Sequence, residues 1–103
     1  FLFVVTSYAN DARYRKMIIG KWKIANTDSF MILTANGKFN IKLMVGNKCI
    51  LSKSCIYVIK NNRFFQIWKK KNKTRHASIV YLSRNKLVLF WQDNQRSITY
   101  TRI

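Results

Sequence analysis

Nine consecutive residues, Trp68-Lys69-Lys70-Lys71-Asn72-Lys73-Thr74-Arg75-His76, hold the densest chemistry in the chain. Five are permanent cations, one is a histidine, and an aromatic opens the run. Fixed positive charge beside a ring attracts phosphates, sulfates and carboxylates by charge and planar groups by stacking. Trp68, Lys69, Lys70, Lys71, Lys73 and Arg75 are therefore the first candidate site, a basic patch whose plain alternative is a solvated hairpin tip. Cations recur at other expected turns: Lys48, Lys53, Lys60, Arg63, Arg84, Lys86 and Arg96. The whole chain carries 20 Lys and Arg against 3 acids, a net charge of +17 on 103 residues. Such an imbalance repels itself and attracts polyanions or acidic partners.

Catalytic material is scarce. Asp11, Asp28 and Asp93 fall in expected turns, with no paired carboxylate of the kind acid–base work needs. Cys55 and His76 supply the types of a nucleophile–base couple, but nothing in their spacing joins them. Glycine-rich phosphate loops are absent, and two cysteines with one histidine are too few for a structural zinc site. The expectation is a protein that is not an enzyme, with no cofactor and no metal. Asn72-Lys73-Thr74 matches a glycosylation sequon, which matters only in a eukaryotic secretory setting.

Cys49 and Cys55 lie six apart. If Leu51-Ser52-Lys53 forms a turn, they face each other and a disulfide closes a small loop, for about 2 kcal/mol in the chain-entropy model. Two unpaired thiols are the equal alternative.

The elements that position these groups read as short strands. Alternation begins at Ile18, Gly20, Trp22 and Ile24, and runs again over Phe30–Thr34 and through Phe39, Ile41, Leu43 and Val45. Asn36-Gly37 between the latter two is a strong hairpin signal, since both residues accept positive φ. Gly46-Asn47, Lys60-Asn61-Asn62-Arg63, Ser83-Arg84-Asn85-Lys86 and Gln92-Asp93-Asn94-Gln95 are further turns. Short turns join sequential antiparallel neighbours. The expected fold is all-β: an up-and-down meander of about eight or nine strands that closes into a small barrel and so removes its edges. Alternate tips share an end, which groups Lys38, Lys53 and Lys70–Arg75 at one end and Lys48, Arg63 and Arg84–Lys86 at the other. Phe39, Tyr57, Phe65, Tyr81, Trp91 and Tyr100 are expected inside, as a filled core or as ligand-pocket candidates.

Residues 10–103 form a single domain by length and by the absence of any linker. Residues 1–9 differ: apolar and uncharged, with Ser7 and Ala9 at the small-residue spacing of a signal-peptidase site. They read as a signal-peptide remnant or as an N-terminal strand, the former implying an exported protein, periplasmic or secreted. No stretch approaches the roughly 20 apolar residues of a membrane-spanning helix.

Gly20-Lys21-Trp22 on the first long strand, after a short turn, resembles the Gly-x-Trp signature of lipocalins and their calycin relatives. Tyr100-Thr101-Arg102 ends the last strand, where that family places an Arg that packs across the Trp. The resemblance implies that Gly20, Trp22 and Arg102 close the barrel. Asn36-Gly37-Lys38-Phe39, Tyr57-Val58-Ile59-Lys60-Asn61 and Leu82-Ser83-Arg84-Asn85-Lys86-Leu87-Val88-Leu89 are similar to segments of small bacterial lipocalin-like domains. The resemblance covers about residues 14–103. The chain departs from the family in its short length, in lacking the Thr-Asp-Tyr-type middle motif, and in having no expected helix after the barrel.

The expected function is a non-catalytic, exported, lipocalin-like binding protein. It would take a small hydrophobic or amphipathic anionic ligand, or act through its basic surface. The alternatives are a polyanion- or nucleic-acid-binding barrel, and a small barrel-type protease inhibitor or interaction protein meeting an acidic protein partner.

Overall fold

Asparagine and glycine at the tips decide how the strands follow one another. Asn61 and Asn62 adopt φ of 54° and 61°, the double left-handed geometry of a two-residue hairpin turn, and lock Lys60 opposite Arg63. Gly37 (φ 84°) closes the loop in which Thr34 N–H donates to Lys38 O, and Gly46 (φ 59°) opens the turn between Val45 and Lys48. The computed structural model describes residues 2–103, with side chains from Asn10 onward. Its elements are α1 (Leu2–Met17), β1 (Gly20–Ile24), β2 (Phe30–Leu33), β3 (Lys38–Val45), β4 (Lys48–Lys60) and β5 (Arg63–Trp68), then a 3₁₀ turn (Lys69–Lys71), β6 (Lys73–Leu82), β7 (Lys86–Trp91) and β8 (Arg96–Arg102).

Each strand pairs antiparallel with the next, and β8 pairs with β1, giving a closed up-and-down barrel of eight strands. The seam sets Trp22 opposite Arg102 and Ile24 opposite Tyr100. A barrel this size has room inside for little more than its own side chains. Here aromatics occupy that room: Phe64 lies 5.4 Å from Tyr57, 6.1 Å from Phe39 and 6.1 Å from Trp91 between ring centroids. Two buried aromatic side chains find partners for their polar tips. Trp22 Nε1 donates to Ile18 O at 2.8 Å, and Tyr57 Oη donates to Thr34 O at 2.7 Å.

α1 covers one end of the barrel. Asp11 is buried and accepts from Asn61 N–H (2.7 Å) and Asn62 N–H (2.8 Å) at the β4–β5 turn, while Arg15 Nη2 donates to Ile59 O at 2.9 Å. Ile18 is fully buried, with Tyr14 packed against the same core. Among the described residues, no helix is long and apolar enough to cross a membrane.

Several expectations are corrected. The N-terminal segment is helix over Leu2–Met17, so the strand read for residues 1–9 does not form. The side chains of residues 1–9, on which the export expectation rests, lie outside the described ones. Leu51-Ser52-Lys53 is no turn. It contains none of the residues that favour positive φ, and β4 runs straight through it for 13 residues, paired to β3. Cys49 and Cys55 therefore share one strand, about 20 Å apart at strand rise, and both are free thiols. Joining those two expected strands also settles the strand number at eight.

Candidate functional site

The long β4 changes which cations meet. With Lys53 inside a strand, Lys38, Lys60, Arg63, Arg84 and Lys86 gather at the helix-covered end. Lys48, Lys69–Lys71 and Arg96 gather at the opposite, uncovered end. This corrects the expected grouping of tips, and the uncovered end is where the basic patch lies.

Register fixes which members of the patch face inward. Phe39 pairs with Cys55 and Ile41 with Lys53, so Lys53 lies on the same inner face as the core. Trp68 pairs with Lys73 and the inward Gln66 with Arg75. Lys53, Trp68, Lys73 and Arg75 thus line the mouth from within, and together with Lys71 they bound a hollow of about 180 Å³. A second hollow of about 450 Å³ adjoins it between β4 and the 3₁₀ turn, sharing Lys53, Trp68 and Lys71 and adding Ser54–Ile56, Ile67, Lys69 and Lys70. The expected patch residues are therefore brought together.

Their roles differ. Trp68 forms one wall, held edge-on against Phe39 at 6.5 Å and 76°. Arg75 lies 4.5 Å above the Trp91 ring and is paired with Asp93, Nε to Oδ2 at 2.6 Å. The hydrogen bond and charge of Arg75 hold the Asp93 carboxyl below its ordinary range. Arg75 is thus already engaged. Among the described residues no carboxylate pairs with Lys53, Lys71 or Lys73, which leaves three ammonium groups for an incoming anion.

Gln66 lies one inward position below Trp68, opposite Arg75, and lines neither hollow. It is 4% exposed, and its Oε1 has no hydrogen-bond partner among the described residues. A buried carbonyl without a donor costs roughly 1–3 kcal/mol. Above the mouth, the β3–β4 hairpin projects past its neighbours. Ile41, Leu43 and Leu51 share its inner face with Lys53, and Leu51 is left 37% exposed.

The pocket candidates divide. Phe39, Tyr57, Trp91 and Tyr100 are buried in the core, and burial raises the Tyr57 and Tyr100 phenols above their ordinary pKa. Phe65 and Tyr81 are corrected: both point outward. The two-residue Asn61-Asn62 turn pairs Ile59 with Phe64, which puts Phe64, Gln66 and Trp68 inside and sets Phe65 tilted against His76 at 5.5 Å outside. A bulge at Val80 breaks the alternation between Ile79 and Tyr81, leaving Tyr81 51% exposed beneath the Lys86 ammonium. Cys55 on the inner face and His76 on the outer also stand on opposite sides of the wall. Burial pushes the Cys55 thiol up to about 11.

At the other end, Gly20, Trp22 and Arg102 meet as the barrel-closing group. The Arg102 guanidinium lies 4.2 Å over the Trp22 ring and donates to the carbonyls of Met17, Ile19 and Arg84. Gly20 has φ of 141°, and a Cβ there would run into that guanidinium. Sequence reasoning missed two residues at or below the mouth. Lys53 was hidden by its reading as a turn, and Gln66 had one available signal: a polar residue at an inward position between two aromatics. No protein-family model matches the chain, and no curated protein matches it.

Proposed function

We propose that this chain is a non-catalytic, exported, lipocalin-like binding protein that takes an amphipathic anion at the uncovered mouth of its barrel. The observation that carries this is the meeting of three unpaired ammonium groups, Lys53, Lys71 and Lys73, with Trp68 around one hollow. An anionic head group enters that hollow. Its apolar part lies along Ile41, Leu43 and Leu51 on the inner face of the projecting hairpin. Gln66 Oε1 accepts a hydroxyl or amide donor from the ligand or from a bridging water. The interior below is filled by Phe64 and its neighbours, so an entirely enclosed apolar ligand is disfavoured.

The lipocalin-like part is supported by Gly20, Trp22 and Arg102 at the seam. Export is supported by the composition of residues 1–9. Cleavage after Ala9 leaves Asp11, Arg15 and Ile18, the groups that hold the helix to the barrel, on the mature chain. A nucleic-acid ligand, meeting the same lysines and Trp68, is the alternative.

Calorimetry with dodecyl sulfate below its micelle concentration, dodecyl maltoside and a single-stranded oligonucleotide separates these cases. The amphipathic reading expects the sulfate to bind, the neutral detergent not to, and Trp68→Ala or Lys73→Ala to weaken binding at least tenfold. Equal binding of both detergents, or oligonucleotide binding alone with a steep salt slope, overturns it. Intact-mass analysis of protein from its native host tests the cleavage.

A further inference from the structure

At the uncovered rim of the closed barrel, β4 runs on past the end of β5. Pairing between β4 and β5 ends at Ile56 opposite Ile67, whereas pairing between β4 and β3 continues to Lys48 opposite Val45. Lys48–Cys55 therefore have a strand partner on one edge only, a free edge of about 26 Å at strand rise. Tyr57 N–H donates to Gly37 O on the β3 side. Alternation from Tyr57 then aims the backbone N–H and C=O of Ser54 and Ser52 away from β3, those of Ser54 into the slot where β5 has turned aside and those of Ser52 along the same free edge beyond it. That slot is the hollow of about 450 Å³, with Ser54–Ile56 on one side and Ile67–Lys71 on the other.

We propose that this slot is a docking site for an extended acidic segment of a partner protein, which adds as a strand to the free edge of β4. Strand addition draws affinity from main-chain hydrogen bonds and specificity from alternate side chains. Ser52 and Ser54 supply the main-chain groups. Lys69, Lys70 and Lys71 line the far wall and receive carboxylates, while Ile56 and Ile67 receive the intervening apolar side chains. Farther along the hairpin, Val45 (64% exposed) and Ile50 (59% exposed) extend the apolar contact. A second copy of this chain is the wrong occupant. Its net charge of +17 and the lysines on this edge, Lys48 and Lys53, oppose self-pairing and favour an acidic strand.

The test uses the whole chain and a capped heptapeptide of alternating Val and Glu. The parent peptide is expected to bind and to slow hydrogen exchange at the Ser52 and Ser54 amides. N-methylation along the peptide's pairing edge keeps its charge and side chains, and is expected to lower affinity at least tenfold. Ser54→Pro removes the slot-facing N–H without touching the β3 ladder, and is expected to do the same. A Lys69→Ala/Lys70→Ala/Lys71→Ala variant should also bind at least tenfold more weakly. Equal affinity of parent and N-methylated peptides, no binding of the parent, or a dimer by sedimentation without peptide overturns the proposal. The mouth ligand is separable: Ser54→Pro should leave dodecyl sulfate binding unchanged, and Lys73→Ala should leave the peptide-induced exchange protection in place.

Discussion

Arg102 and Trp22 are direct partners across the seam that closes the barrel, the guanidinium lying 4.2 Å over the indole. The same guanidinium ties down Met17 and Ile19 from the segment entering β1, and Arg84 from the β6–β7 turn. One side chain thus joins the helix, the first strand and the last strand. A cation over an indole contributes about 0.5–2 kcal/mol, and hydrogen bonds from a charged donor add to it.

Arg102→Ala should therefore lower stability by about 2 kcal/mol, visible as a fall of roughly 10 °C in Tm for a domain of this size. Arg102→Lys should recover little, because a single ammonium cannot reach three carbonyls and stack at once. Thermal melts followed by circular dichroism check both. A Lys variant that melts with the parent protein would show that charge alone closes the seam.

Asp11 holds the helix in place. Its two carboxylate oxygens take one backbone N–H each from Asn61 and Asn62. Asp11→Asn keeps one acceptor oxygen, so one of those N–H groups loses its partner, at a cost of about 1–3 kcal/mol. Faster hydrogen exchange should be confined first to α1 and the Asn61-Asn62 turn. Uniform acceleration across all eight strands would show instead that the helix and barrel unfold as one unit.

The thiols should separate cleanly by reactivity. Cys49 is exposed, whereas burial raises Cys55 to about 11. Only thiolate reacts, so at pH 9 the ionised fraction of Cys55 is on the order of one per cent. Its labelling rate should climb as pH rises toward that value. The sign for stability follows. Above the unfolded value of 9.0 the unfolded chain ionises this thiol while the folded chain does not, so folding is disfavoured as pH rises from about 9 to about 11. Mass spectrometry after timed iodoacetamide treatment at pH 8 should find Cys49 modified and Cys55 intact.

The closed meander was legible because its turns carry Asn and Gly at positions that need positive φ, and because Trp22 and Arg102 sit at the two ends of the strand series. The cationic run at Trp68–Arg75 was legible from composition alone. What escaped had physical causes. Asp11, Tyr14, Arg15 and Ile18 have the spacing of one helical face, but half of that face is charged and meets backbone groups instead of apolar ones, so hydrophobic periodicity does not reveal it. The bulge at Val80 leaves no compositional mark, and it alone moves Tyr81 from inside to outside. Inward Lys53 depends on β4 continuing past the barrel rim, a property set by pairing with β3 that no local propensity encodes.

Gln66 offers the sharpest separation of stability from function. Gln66 is buried at an inward position between Phe64 and Trp68 in sequence, and its Oε1 has no hydrogen-bond partner among the described residues, so an apolar side chain of similar volume would remove an unsatisfied carbonyl. Gln66→Leu should therefore leave stability unchanged or raise it by about 1 kcal/mol. If the mouth takes an anion whose donor reaches this carbonyl, the same substitution should weaken that ligand several-fold while leaving the three lysines, and hence the salt dependence of binding, as they were. A protein that spends stability to keep a bare carbonyl below a cationic mouth is expected to use it. A Gln66→Leu variant that is more stable and binds dodecyl sulfate as tightly as before would assign the binding to charge and apolar contact alone. A hydroxylated alkyl sulfate would then lose its expected advantage over the plain one.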